Sequence, residues 1–347
     1  MSKIRVGAIG AGYWGPNLIR NFAELPESEL VAVSDLKQER LDKLTAHYPR
    51  LITTNNYRDF FTMGLDAVVI ATPPATHFSL ARECLENGLH VLVEKPITLN
   101  SQDATDLIDL AERKNLRLMV GNTFEYNPAV QVIKQLVQSG ELGHIHYIDA
   151  VRTNLGLFQP NLNVMWDLAP HDISILLYIL GIEPTGVSAM GGASVFSHIH
   201  DIVYMHMQFP DGLLAHIHVS WLNPQKVRKI TVVGSEKMLV YDDVDPLEKI
   251  RIYDKGVTAP PYTSNFGEFQ CSYRYGDVIV PHIQFTEPLR VEVKEFVDAI
   301  VQGRLPRSSG EVGRNIVRIL EAAESSLQNG GGVQTLQPIV SRDTITA

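Results

Sequence analysis

Short apolar runs alternate with amphipathic stretches through the first third of the chain. Strands are expected at Ile4–Ile9, Leu30–Ser34, Ala67–Ala71, His90–Val93 and Leu116–Val120, and helices at Gln38–Ala46, Phe78–Asn87 and Gln102–Lys114. Gly88 stands where a helix C-terminus favours glycine, and Asn100 or Ser101 can cap the next helix. Strands alternating with helices make βαβ units, so residues 1–122 are predicted to form an α/β Rossmann domain on a doubly wound parallel sheet. Asn127-Pro128 opens a further helix that Gly140 ends, and from about Ile145 the apolar positions alternate as in half-buried strands. These strands are Tyr147–Thr153, Ile202–Phe209, Leu213–Ser220, Arg228–Val233, Met238–Tyr241 and Lys249–Tyr253, with Asp211-Gly212 as a hairpin turn. A helix over Asp167–Leu180 interrupts them, and two more, near Leu289–Val301 and Gly313–Leu327, close the chain. Residues 123–347 therefore read as an α+β domain with a large, mostly antiparallel open sheet, its C-terminal helices able to pack back on the first domain.

Composition acts mainly by exclusion. The 347 residues suffice for two domains with buried cores. A net charge of −9 and a pI of about 5.7 argue against nucleic acid or an acidic membrane surface as partner. No apolar run reaches the ~20 residues of a membrane span. Cys84 and Cys271 lie far apart without a CxxC pattern, and a strand pattern follows directly on Met1-Ser2-Lys3. A cytoplasmic protein with two reduced thiols is expected.

Gly10-Ala11-Gly12-Tyr13-Trp14-Gly15 is a GxGxxG turn between the first strand and a helix. The first glycine makes the tight turn, the second lets a pyrophosphate approach the backbone, and the third lets helix and strand pack closely. Asp35 ends the second strand, ~20 residues beyond Gly15, where a carboxylate binds the ribose hydroxyls and repels a 2′-phosphate. NAD is thus expected rather than NADP, with Lys37 and Arg40 near enough to soften the preference. Thr72-Pro73-Pro74 follows the third strand at its C-terminal end, where open α/β sheets bind ligands, and His77 follows that loop.

Glu94-Lys95-Pro96 ends the next strand and faces the same crevice; a lysine there can bond or deprotonate a substrate hydroxyl. Asp167 and His171 are four apart and share a helix face. With Pro170 assigned to the first turn, the helix N-terminus would keep His171 neutral and ready to accept a proton, and Asp167 would orient its ring. Tyr126, Arg152, Asn161 and Asn163 are candidate substrate ligands, Arg152 and the Lys226, Arg228, Lys229 cluster being the evident cations for a diphosphate.

GAIGAGYWG, ATPPATH, VEKPIT, the DxxxH of Asp167 and His171, and the closing EPLRVEVKEFVDAIVQG together resemble the glucose-fructose oxidoreductase / inositol dehydrogenase / MocA (Gfo/Idh/MocA) family over nearly the whole chain. The resemblance implies a catalytic set of Lys95, Asp167 and His171. It implies cofactor contacts from Gly10, Gly12, Tyr13, Trp14, Gly15, Asp35, Thr72, Pro73, His77, Glu94 and Lys95, and substrate contacts from Lys95 and His171. Family members often carry Arg where Glu125 stands, and no role is given to that position. GNTFEYNPAV, VRTNLGLFQPNLNVMWDLAPHDISILLYILG and SWLNPQKVRKITVVGSEKMLVYDD are similar to nucleotide-sugar 3-dehydrogenases of the family. That similarity implies NAD-dependent oxidation of the C3 hydroxyl of UDP-N-acetylglucosamine or its uronic acid for amino-sugar or polysaccharide precursors. It further implies a downstream PLP-dependent aminotransferase and a homodimer or homotetramer built through the second sheet.

His198, His200, His206, His216 and His218 carry no cysteine or regularly spaced acid with them, and no metal site is expected. Two rival functions remain: a polyol, inositol or free-sugar dehydrogenase or ketoreductase, and a non-catalytic NAD-binding redox sensor. A sensor would need none of Lys95, Asp167 and His171.

Overall fold

The structure, a computed structural model, describes residues 3–159, 161–258 and 271–337. The chain begins β1 (Ile4–Ile9), α1 (Gly15–Glu24), β2 (Ser28–Ser34), α2 (Gln38–His47), β3 (Ile52–Thr54), β4 (Ala67–Ile70), α3 (His77–Glu86), β5 (His90–Glu94), α4 (Ser101–Arg113) and β6 (Leu118–Gly121). It continues α5 (Pro128–Gln138), β7 (Ile145–Thr153), α6 (Val164–Leu180), β8 (Gly186–Gly192), β9 (Ile202–Gln208), β10 (Leu214–Ser220), β11 (Val227–Gly234), β12 (Met238–Asp242), β13 (Ile250–Thr258) and β14 (Ser272–Ile279). α7 (Pro288–Gln302), α8 (Gly310–Gln328) and β15 (Gln334–Thr335) follow. Contacts divide the chain into two units, Met1–Asn127 with Thr286–Arg318 and Pro128–Phe285 with Ile319–Ala347.

The first unit is built on a six-stranded sheet in the order β3-β2-β1-β4-β5-β6, parallel at every pairing. β4 is wholly apolar (Ala67, Val68, Val69, Ile70) and wholly buried, as a strand covered on both faces must be. α7 joins this unit through Leu289, Val293, Phe296 and Val297, and Phe296 meets Phe22 edge to face at 6.4 Å. The short β3 escapes prediction because three residues, two of them threonine, carry no readable period.

The second unit holds a nine-stranded sheet, β14-β13-β12-β11-β7-β10-β9-β8-β15, in which only β7 and β10 pair in parallel. Val203, Met205 and Met207 on β9 and Ala215, Ile217 and Val219 on β10 are buried, and α6 lies against β7, β9 and β10. The alternate positions Tyr204, His206, His216 and His218 form a stack on the other face, with Tyr204 and His218 ring centroids 4.4 Å apart. Neither β8 nor β14 is visible in the pattern. Three of the seven residues of β8 are glycine, and every residue of β14 is exposed.

One boundary is corrected. α6 begins at Val164 rather than Asp167, because Asn163 caps it by accepting the Trp166 N–H at 3.1 Å and Val164, Met165 and Trp166 are buried. Pro170 therefore lies inside the helix, where it leaves the Trp166 carbonyl without its usual donor.

Candidate active site

The turn between β1 and α1 has the shape its glycines require. Gly10 sits at φ +98, and a Cβ there would meet the Ala71 carbonyl oxygen at 2.6 Å. A Cβ on Gly15 would lie 2.2 Å from the Gly10 carbonyl oxygen. A Cβ on Gly12 would meet nothing nearer than Arg40 Nη1 at 3.6 Å, so the backbone is open at the position a pyrophosphate must approach. Tyr13 is 91% exposed and Trp14 half exposed at the start of α1.

Asp35 is buried at the end of β2. Its Oδ2 accepts the Ala11 N–H at 2.8 Å, its Oδ1 accepts the Lys37 N–H at 2.8 Å, and Arg40 Nη1 lies 3.2 Å from Oδ2. Burial alone would raise this carboxyl, but the two N–H donors and Arg40 outweigh it and hold Asp35 below the usual range. An anionic carboxylate at this place fits a ribose diol. NAD is expected to bind more tightly than NADP, and Asp35→Ala to narrow the gap by removing the charge and releasing Arg40. Titration of both cofactors checks this.

Around the ends of β4 and β5 the loops brace one another. His77 opens α3 fully buried, with Nδ1 2.7 Å from the Pro96 carbonyl oxygen and Nε2 2.8 Å from that of Thr72. Both ring nitrogens face backbone oxygens, so His77 ties the Thr72-Pro73 loop to the loop after β5 instead of reaching outward. The Lys95–Pro96 peptide is cis. Burial pushes Glu94 up to about 7, against the pull of the Lys95 charge, the Lys95 N–H and the Trp14 indole. Its folded value lies above its ordinary 4.5, so between those two values the folded state holds the extra proton and stability falls as pH rises. Glu94→Gln is expected to flatten that fall, as urea unfolding at a series of pH values would report.

In the second unit Asp167 and His171 share one face of α6, one turn apart. His171 is the eighth residue of the helix, beyond the first turn where the dipole acts, so the expected N-terminal effect on it does not apply. Asp167 Oδ2 accepts the indole N–H of Trp221 at 3.1 Å, and Trp221 is buried against Phe158, ring centroids 5.1 Å apart. Glu324 Oε2 accepts from Asn163 Nδ2 at 2.8 Å and from Trp166 Nε1 at 3.2 Å, fixing the start of α6.

Three of the expected substrate ligands have structural partners. Arg152 is buried in a two-pronged ion pair with Asp172, at 2.8 and 2.9 Å, because its strand position points inward under α6. Tyr126 is fully buried with its hydroxyl 2.8 Å from Ser308 Oγ. Asn163 is the cap of α6, and Asn161 alone is exposed. Trp221 and Glu324 escaped the sequence reading because they meet α6 from 54 and 158 positions away. A tryptophan that closes a buried strand pattern needs a partner for its N–H, and that signal was available. Among the described residues no helix is long and apolar enough to cross a membrane, and no three His, Cys, Asp or Glu side chains are grouped to hold a metal ion.

Residues 4–122 match the oxidoreductase family model described as GFO_IDH_MocA, NAD-binding Rossmann fold, and residues 130–240 match the GFO/IDH/MocA C-terminal domain. The UDP-N-acetylglucosamine 3-dehydrogenase of Acidithiobacillus ferrooxidans is 28% identical, across 94% of this chain and 100% of that one. A solved structure of that enzyme superposes with a TM-score of 0.78 at 26% identity, over 95% of this chain and 99% of the other. Myo-inositol 2-dehydrogenase of Thermotoga maritima is 25% identical over 95% of this chain and 98% of its own. With the glycine turn, Asp35 and both sheets in place, the chain belongs to the Gfo/Idh/MocA family of oxidoreductases and carries that family's NAD-binding Rossmann domain.

Proposed function

We propose that the protein oxidises the C3 hydroxyl of a UDP-sugar, UDP-N-acetylglucosamine or its uronic acid, to the 3-keto sugar. The observation that carries this reading is similarity along the whole length of the relative that acts on UDP-N-acetylglucosamine. Bound NAD, held by the glycine turn and Asp35, supplies the hydride acceptor. Lys95 and His171 act on the reacting hydroxyl, and one of them takes its proton. Asp167, fixed by the Trp221 N–H, orients His171 and stabilises its charged form. A 3-keto sugar is reactive, so a PLP-dependent aminotransferase installing a 3-amino group is the fitting consumer.

A second reading, oxidation of a polyol, inositol or free sugar, is favoured by a specific observation. Three of the four cations expected to meet a diphosphate are matched with acids: Arg152 with Asp172, Arg228 with Asp243 at 3.5 Å, and Lys229 with Asp242 at 3.3 Å. The deciding assay gives the protein NAD with each UDP-sugar, myo-inositol or a free hexose and follows NADH. A 3-aminotransferase with an amino donor then traps any keto sugar for mass spectrometry. Turnover of a UDP-sugar and an amino-sugar product support the first reading; brisk oxidation of inositol or hexose with neither UDP-sugar turned over replaces it with the second.

A further inference from the structure

The nine-stranded sheet carries a row of polar side chains that the proposed chemistry leaves unused. The alternation along β9 and β10 that buries Met205 and Ile217 sends His206 and His216 to the other face of the sheet. These two histidines stand directly opposite one another in the antiparallel β9–β10 pair. Their Nδ1 atoms are 3.3 Å apart and their ring centroids 4.7 Å apart. Tyr204, two residues before His206 on the same face, stacks on His216 at 5.9 Å and on His218 at 4.4 Å, so the His216 ring is braced from the side. Across the sheet the row continues with Asp149 of β7, in register with His216, and Ser188 of β8, in register with His206. Asp149 favours a positive charge at His216, while the short Ser188 side chain leaves His206 exposed. Lys229, on the same face from β11, is paired with Asp242.

Two imidazole nitrogens that face each other can share a proton or can share a cation. The separation of 3.3 Å is long for a hydrogen bond, whose heavy atoms ordinarily come within about 3.2 Å. It fits a metal ion well: two nitrogens bound to one Zn²⁺ at about 2.0–2.1 Å and near the tetrahedral angle stand about 3.3–3.4 Å apart. Neutral imidazole is the commonest protein ligand for such ions, and either ring nitrogen can serve. Along the chain no acid is regularly spaced with these histidines. Strand pairing supplies one, Asp149, from β7.

We propose that His206 and His216 chelate one divalent transition-metal ion of the Zn²⁺ class through their Nδ1 atoms, beside Asp149, with water in the outward positions. No third His, Cys, Asp or Glu is grouped with the pair among the described residues, so the site is open and exchangeable, unlike the closed four-ligand centres that fold small domains. It lies on the buried strands' outer face, away from α6 with its Asp167 and His171, so the ion takes no part in the proposed oxidation. What it does is mechanical. An ion held from both β9 and β10 binds only when the two strands are in native register, and therefore stabilises the folded sheet.

The test uses the untagged full chain, stripped of metal with a chelator. Calorimetric titration with Zn²⁺ is expected to show one saturable site per chain. His206→Ala and His216→Ala, each folded by circular dichroism, are expected to weaken it by about tenfold or more, since even the outer partners of metal ligands are worth that much. His198→Ala, which removes an exposed histidine outside the row, should leave the affinity unchanged. With Cu²⁺ as the probe, electron paramagnetic resonance should show coupling to two imidazole nitrogens in the unmodified protein and to one in either row variant. Zn²⁺ should also raise the thermal midpoint of the unmodified protein and of His198→Ala, but not of the two row variants. Absence of a saturable site from the unmodified protein overturns the proposal. So does an unchanged Zn²⁺ affinity in either row variant, or an equal loss in His198→Ala.

Discussion

Lys95→Ala and His171→Ala are each expected to lower turnover by about 10²–10⁴-fold while NAD affinity stays near its starting value. The reasoning is chemical. Hydride can leave a carbinol carbon only as the hydroxyl proton departs, so removing the group that takes that proton costs the transition state and not the bound cofactor. Asp167→Asn should cost less, because the amide can still meet the Trp221 indole while losing the charge proposed to stabilise a protonated His171. Trp221→Phe should behave like a mild version of Asp167→Asn, since it removes one donor to the carboxylate and leaves the charge in place. Steady-state and single-turnover kinetics on the true substrate check all four variants. Near-normal turnover in His171→Ala would remove His171 from the chemistry.

The parallel half of the fold was legible because its strands are buried on both faces and its helices are amphipathic, two periods that are hard to confuse. The cofactor turn was legible for a different reason. Gly10 and Gly15 stand where any side chain would strike backbone, so the sequence there has no freedom. What stayed hidden depends on distance along the chain. Nothing local to Arg152 says that Asp172 will take two of its donors, and nothing near Asn163 says that Glu324 will hold it. The start of α6 differs from the expectation because Pro170, a favourable first-turn residue, here lies inside the helix. The true cap is a plain asparagine, and tertiary burial of Val164 and Met165 outweighs the proline. Glu292 is a fully buried charged residue on the apolar stripe of α7, a conflict legible in the sequence that asks for an explanation.

Arg152→Ala is expected to destabilise the protein by about 3–5 kcal/mol, because it leaves the Asp172 carboxylate buried without its counter-charge. Both side chains are almost wholly enclosed, at 4% and 2% exposure, and the pair is bidentate, through Nε and Nη2 to the two oxygens. Two ions so placed lose most of their hydration, and their mutual attraction returns it only while both are present. The double variant Arg152→Met with Asp172→Leu should therefore recover most of the loss, since apolar side chains of similar volume need no compensation. The position of the pair gives it a further consequence. Asp172 follows His171 directly, and Arg152 stands on β7, so the bond ties α6 to the sheet at the residue next to the proposed base. The double variant is then expected to be stable yet slower, with the loss in kcat and little change in KM. Urea unfolding gives the first quantity and steady-state kinetics the second. Were Arg152→Ala to lose less than about 1 kcal/mol while raising the KM for a UDP-sugar sharply, the guanidinium would be a diphosphate ligand after all, and the buried pair incidental.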